Sequence, residues 1–109
     1  MLSWLLFWPI GGSHLTKDVQ GRADVHGLEF MASEYKDEIG SFPPIENQDF
    51  FEALGGKNKL NRGYLPITDW PRDKAGRFID VWEDPFSIEI KAGKIVVHSP
   101  TLDRELPTY

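Results

Sequence analysis

The sequence predicts an α+β domain, in which an N-terminal helix packs across a small antiparallel sheet of three to four strands. Two patterns predict this fold. Apolar residues recur three or four positions apart between Val25 and Ile39, which lines one face of a helix. Apolar and polar residues alternate between Phe86 and Lys91, which is typical of a strand with one buried face. A chain of 109 residues can bury one modest core, so we expect a single domain.

The predicted long helix begins with Thr16 as its N-cap and ends just before Gly40. Gly40 suits the left-handed residue that commonly follows a helix, and Pro43 prevents the helix from continuing. Gly21 and Gly27 each weaken the helix interior by about 1 kcal/mol relative to alanine. We therefore expect the first half of the helix to fray unless it packs against another part of the chain.

Shorter elements follow the long helix. A second helix is predicted at residues 47–54 with Asn47 as its N-cap, and a short edge segment is predicted at residues 63–67. Three strands are then predicted, at residues 77–82, 86–91 and 94–98. The turn Ala92-Gly93 joins the last two strands as a hairpin. The chain after the last strand is predicted to be irregular.

Composition excludes several classes of function. The chain has 12 Lys+Arg against 17 Asp+Glu and lacks the clustered cations that phosphate contacts need, so we expect no nucleic-acid partner. It has no cysteine, which excludes disulfides, thiolate catalysis and cysteine-bound zinc. The histidines, His14, His26 and His98, do not have the spacing of a zinc motif. The sequence also has no phosphate-binding loop and no nucleophile elbow, so we expect no enzymatic activity.

Residues 1–13 form a short apolar N-terminal segment, and residues 14–109 form the predicted domain. The apolar run is shorter than the roughly 20 residues that a membrane-spanning helix needs. Three interpretations stay open: a truncated export or anchor segment, a segment packed on the domain, and an amphipathic surface helix. An exposed patch of this kind would promote aggregation, so we expect it to be covered or removed. Membrane association through this segment is one expectation.

Three acidic residues, Asp80, Glu83 and Asp84, form a cluster beside Pro85. Paired carboxylates hydrolyse glycosides when they face each other across a cleft at about 5–10 Å. Aspartates beside a turn instead bond to backbone N–H groups two residues on. We favour structural turn chemistry, with a small hydrolase and a bound cation as the alternatives.

Aromatic residues are frequent in the second half of the chain. They are a candidate binding face for a sugar or a peptide, but aromatic residues in the strands of a small domain more often form its core. In the binding interpretation, Tyr64 and Trp70 would be the exposed contacts. The aromatic set is Tyr64, Trp70, Phe78, Trp82 and Phe86.

The tail carries a side-chain oxygen at every second residue, at Ser99, Thr101, Asp103 and Glu105. Calcium takes about six to eight oxygen ligands, which include backbone carbonyls. The run lacks the glycine and the bidentate glutamate position of an EF-hand loop. A calcium site and a solvated tail therefore both stay open.

A set of signature residues is distributed along the chain in a recognisable order. They are Tyr35, Gly40, Pro43, Asp80, Trp82, Pro85 and Phe86. A segment at residues 50–58, which contains Ala-Leu-Gly-Gly-Lys-Asn, lies between the two groups, and a strand and loop at residues 95–103 follow them. This order resembles the periplasmic head of the major pseudopilin of type II secretion and its type IV pilin-like relatives. In that family a proline and a glycine stand where this chain has Val81 and Glu83.

The resemblance implies a pilin-like head that serves as a non-enzymatic structural subunit or accessory of a pseudopilus or pilin-like assembly. It implies a location in the bacterial cell envelope, on the periplasmic face of the inner membrane or secreted. It implies self-association or contact with other pseudopilins, through residues 57–70 and the tail after His98. It also implies calcium at Ser99 and Asp103. The alternative is a stand-alone periplasmic or secreted binding module that derives from such a head.

Overall fold

A computed structural model describes residues 17–105, which form three helices and one β-hairpin. The helices are α1 (Lys17–Ile39), α2 (Asn47–Leu54) and α3 (Pro100–Glu105), and the strands are β1 (Ser87–Lys91) and β2 (Lys94–His98). α1 packs against β2 and α2, which confirms the predicted α+β class. The apolar segment at residues 1–13 and the predicted N-cap Thr16 lie outside the described residues. Within residues 17–105, no helix has the length and apolar character needed to cross a membrane.

The predicted hairpin is confirmed, but the predicted alternation on β1 holds only in part, since Ile88 is buried whereas Ile90, on the same predicted face, is 45% exposed. β1 and β2 are antiparallel, and Ser87 pairs with His98 at the open end. The turn residues Ala92 and Gly93 have φ values of 52° and 76°, the positive values of a hairpin turn that matches the twist of its strands. The buried face of the hairpin carries Ile88, Ile95 and Val97.

The sheet of the described residues has two strands, whereas the sequence predicted three to four. The predicted strand at residues 77–82 is wrong, because a tight turn interrupts it: the Asp80 N–H donates to the Asp84 carbonyl at 2.8 Å. Isolated bridges join Arg72 to Phe78 and Ile79 to Pro85. Residues 63–67 form no strand either.

The first half of α1 packs against Trp82. A Cβ atom at Gly21 would lie 2.6 Å from Cζ3 of the Trp82 indole and 2.7 Å from its Cη2. Only a glycine therefore lets the backbone of α1 lie so close to this ring. Leu102 of α3 approaches the same place, with its Cδ1 3.7 Å from the Cβ position. Gly21 lowers the stability of the isolated helix, but it allows the contact with Trp82 that stabilises the first half of α1 in the folded protein.

Aromatic rings form the centre of the core. Phe51 of α2 stacks on Phe78 with ring centroids 4.3 Å apart, and Trp70 meets Phe51 edge-on at 5.2 Å. Burial of such rings is the largest favourable contribution in a domain of this size. In the predicted aromatic set, Tyr64, Phe78 and Phe86 are buried, whereas Trp70 and Trp82 are half-buried.

Two predictions about local structure are wrong. Residues 100–105, which were predicted to be irregular, form the helix α3. It begins at Pro100, and proline is favoured at the first position of a helix because the N–H that it lacks would have no helical partner there. The N-cap of α2 is Glu46 and not Asn47. The Asn47 amide instead accepts from the Phe78 N–H at 2.6 Å and donates to the Phe78 and Phe86 carbonyls at 2.9 Å. These tertiary hydrogen bonds occupy the side chain that was expected to cap the helix.

Candidate functional site

The Asp80 carboxylate organises the turn that carries the second group of signature residues. Its Oδ1 accepts from the backbone N–H groups of Trp82 and Asp84, both at 2.9 Å. Its Oδ2 accepts from the Ser99 hydroxyl at 2.6 Å. Asp80 is only 3% exposed, so these hydrogen bonds replace the water that the carboxylate loses on folding. The favoured interpretation of Asp80 as a turn residue agrees with these contacts, which also tie the turn to the end of β2.

The two residues implied for calcium, Ser99 and Asp103, make separate contacts. Ser99 is 1% exposed and donates to Asp80, whereas Asp103 Oδ2 lies 2.9 Å from His98 Nδ1. Within the described part of the chain, no group of three or more His, Cys, Asp or Glu side chains is placed to hold a metal ion. Calcium at Ser99 and Asp103 stays a prediction.

The other signature residues pack around the same core. Tyr35 of α1 is 7% exposed, and its ring lies 5.7 Å from that of Tyr64. Gly40 follows α1 with a φ of 97°, the left-handed conformation that the sequence predicted. Pro43 and Phe86 are buried, and Pro85 is half-buried. Tyr35 and Phe86 therefore belong to one buried core, whereas Gly40 is exposed and ends α1.

Glu83 occupies a glycine-like position in the Asp80 turn. Its φ is 66°, and its N–H donates to the Asp80 carbonyl at 2.9 Å. A left-handed conformation costs a residue with a Cβ about 1–2 kcal/mol. The family that the chain resembles carries glycine at this position of the motif.

We expect Glu83→Gly to raise the free energy of unfolding by about 0.5–1 kcal/mol, because the strain relieved exceeds the freedom that the unfolded chain gains. Denaturant titration measures the change. The matched control is Glu52→Gly in α2, which we expect to lower stability by about 1 kcal/mol. A loss of stability in both variants would contradict this explanation of the turn.

His98, at the end of β2, lies between two carboxylates. Its Nε2 contacts Oε2 of Glu89 on β1, and its Nδ1 contacts Oδ2 of Asp103 on α3. The hydrogen bond to Glu89 is the main cause that raises the pKa of His98; partial burial opposes it, and Asp103 adds to the increase. The protonated ring therefore connects both strands to α3.

We expect the stability that His98 contributes to be lost as the pH rises. A group with a raised folded-state pKa stabilises fully below its unfolded value of about 6.5 and loses this effect through the folded-state pKa. The ring is 32% exposed, so solvent screening limits the change; we expect a few tenths of a kcal/mol, roughly. Thermal unfolding from about pH 5.5 to about pH 8.5 measures it, and Glu89→Gln should flatten the fall. An equal slope in both proteins would contradict the assignment.

A groove of about 340 Å³ opens between α1 and the loop at residues 57–70. The Tyr64 hydroxyl donates to Glu38 Oε1 at 2.8 Å, and Nη1 of Arg62 lies 2.8 Å from the same oxygen. Burial, with the bond to Glu38, raises the pKa of Tyr64, which keeps its hydroxyl a donor. The lining residues are Phe30, Met31, Glu34, Glu38, Arg62, Gly63 and Tyr64. The groove presents an apolar wall beside a carboxylate-rich rim.

The groove was not predicted from the sequence. Phe30 is 58% exposed and lies outside the apolar face of α1, so the helical periodicity gave it no role. The one feature of the sequence that pointed to this groove was a large apolar side chain, Phe30, on the solvent-facing side of the predicted helix. The two aromatic contacts proposed for a binding module are less exposed: Tyr64 is 5% exposed, and Trp70 donates its Nε1–H to the Ile79 carbonyl at 3.1 Å.

Comparison of the chain with protein-family models, with curated proteins and with solved structures finds no significant match. Function is therefore inferred from the geometry of the described residues.

Proposed function

We propose that this chain is a non-enzymatic structural subunit or accessory of a pseudopilus or a related pilin-like assembly in the bacterial cell envelope. The described residues would be its pilin-like head. α1 would stack protomers, while the loop at residues 57–70 and α3 would supply lateral contacts. The segments around Phe78 and Ile79, which form isolated β-bridges, would correspond to the additional strands of a pilin-like head.

The observation that supports this proposal most is that the four stretches that carry the resemblance, residues 28–44, 50–58, 80–86 and 95–103, contact one another. Each stretch alone is short, and their contacts join them into one structural unit, as a pilin-like head would require. Three contacts join them: the Ser99 hydroxyl to Asp80 at 2.6 Å, the Val97 N–H to Glu29 Oε2 at 2.9 Å, and the Phe51 ring to the Phe86 ring at 5.7 Å.

Exposed apolar side chains support contacts between protomers. Outside the buried face of α1, Val19 is 47% exposed and Phe30 is 58% exposed. Leu60 of the loop is 50% exposed, and Ile90 of β1 is 45% exposed. Apolar groups on a protein surface are candidates for burial in an interface. The burial of Tyr64 weakens the alternative of a binding module, which needed its ring on the surface.

Deletion of the gene in its native bacterium tests the proposal. We expect proteins that the intact strain releases into the medium to accumulate inside the deletion strain, and the wild-type gene to restore their release. The control is the same gene with a stop codon at Tyr35. Unchanged release of every detectable protein in the deletion strain would contradict a role in a secretion assembly.

A further inference from the structure

We infer that the groove beside Phe30 receives the turn at residues 58–62 of a second copy of this chain, with Lys59 of that copy on Glu34. The inference deepens the proposed function and rests on it, because it names the contact through which heads would associate. Two complementary surfaces carry it. One surface is apolar and acidic, and the other is apolar and basic.

The first surface is the groove itself. Phe30 offers an exposed ring, and the half-buried Glu34 lies beside it on α1. Among the described residues, the Glu34 side chain has no hydrogen-bond or ion-pair partner, whereas Glu38 is held by Tyr64 and Arg62. A partly desolvated carboxylate without a partner favours a cation that arrives with an apolar stem. A lysine supplies both, because its methylene chain can lie across the Phe30 ring while its ammonium group reaches the carboxylate.

The second surface is the turn at residues 58–62, whose last residue, Arg62, also lines the groove. The Asn58 side chain fixes it: its Nδ2 donates to the Arg62 carbonyl at 2.8 Å, and its Oδ1 accepts from the Leu60 N–H at 3.1 Å. Lys59 is exposed at the tip and has no ion-pair partner among residues 17–105, and Leu60 is 50% exposed. An ordered turn loses less conformational entropy on docking than a flexible loop.

Charge complementarity identifies the occupant as a second copy. Inside one chain, Arg62 pairs with Glu38 at 2.8 Å and Lys57 with Glu52 at 3.5 Å. Lys59 is the cation of the turn that has no ion-pair partner among residues 17–105. Copies with a net charge of −5 repel one another unless a contact sets a cation against a carboxylate. In the proposed contact each copy offers its turn to the groove of the next copy, so the contact is heterologous and can continue from copy to copy, as a filament requires.

Charge reversal in the full chain tests the contact. Sedimentation equilibrium of the wild type should show an average mass that rises with protein concentration. Glu34→Lys and Lys59→Glu should each weaken this association about tenfold, since each sets like charges against one another. An equimolar mixture of the two variants should recover wild-type association, because every contact between unlike copies again pairs a lysine with a glutamate.

Matched controls distinguish the loss of this contact from the effect of a changed net charge on association. Glu46→Lys and Lys74→Glu make the same charge changes at exposed residues outside the groove and the turn, and both should associate like the wild type. If the wild type associates but the Glu34 and Lys59 variants match it, or their mixture is not rescued, the contact is overturned and the proposed function stands. A wild type that stays monomeric both at high concentration and in cross-linked cells overturns the contact and the proposed function together.

Discussion

Replacement of Asp80 by alanine is expected to lower the free energy of unfolding by about 3–5 kcal/mol, which is a large share of the stability of a small domain. The carboxylate accepts the N–H groups of Trp82 and Asp84 and the hydroxyl of Ser99. Alanine would leave these donors without an acceptor at a site where the carboxylate is 3% exposed. Denaturant unfolding, followed by tryptophan fluorescence, measures the loss.

Asp80→Asn is the matched control, because its amide oxygen can still accept both backbone N–H groups. We expect it to lose less than half of what Asp80→Ala loses. Ser99→Ala, which removes one donor together with its own need for a partner, should cost about 1 kcal/mol. If Asp80→Ala cost no more than Ser99→Ala, the conformation of the turn would not depend on the carboxylate.

Gly21→Ala should destabilise the protein by about 1–3 kcal/mol, although alanine favours a helix by about 1 kcal/mol over glycine. The reason is the Trp82 ring, whose Cζ3 lies 2.6 Å from the Cβ that alanine would add. The ring must move away from α1, and its packing against the helix is lost. Thermal and denaturant unfolding of the single variants measure the effect.

The decisive comparison is Gly21→Ala in a Trp82→Ala background. With the indole removed, alanine at position 21 meets no ring, and its helix propensity should raise stability by about 1 kcal/mol. The same substitution would thus change sign between the two backgrounds, which is a strong coupling between neighbouring residues. An equal loss in both backgrounds would show that the contact with Trp82 is not the reason for glycine.

Local patterns predicted the elements that local interactions decide. The periodicity around Leu28 gave α1, and the alternation around Ile88 gave the hairpin, because burial of one face leaves a direct trace in the sequence. Gly40 marked the end of α1 correctly, because the left-handed conformation that it adopts after the helix is a local preference of glycine. These predictions needed no knowledge of any distant contact.

The wrong predictions lie where distant hydrogen bonds decide the conformation. Asn47 looks like an N-cap, but its amide bonds to Phe78 and Phe86, far along the chain. The strand expected at residues 77–82 is interrupted because the Asp80 carboxylate closes a turn. For α3 a local signal was available and missed, since Ser99 followed by Pro100 is typical of a helix start.

The sequence drew attention to residues of the Asp80 turn but not to their contacts. Asp80, Trp82 and Ser99 were all singled out from the sequence. That Ser99 bonds to Asp80, and that Trp82 lies on Gly21, depends on how α1, the turn and β2 come together. The groove depends in the same way on Phe30 and Tyr64, which the sequence placed in separate elements.

In-cell cross-linking of the fractionated native envelope, with an antibody against this chain, tests the central claim most directly. A pilin-like subunit predicts a membrane-associated ladder of cross-linked multimers that extends beyond the dimer. The ladder should shorten in the Glu34→Lys variant and stay unchanged in Glu46→Lys. A soluble monomer without a ladder would contradict the assembly proposal and leave the head as a free binding module.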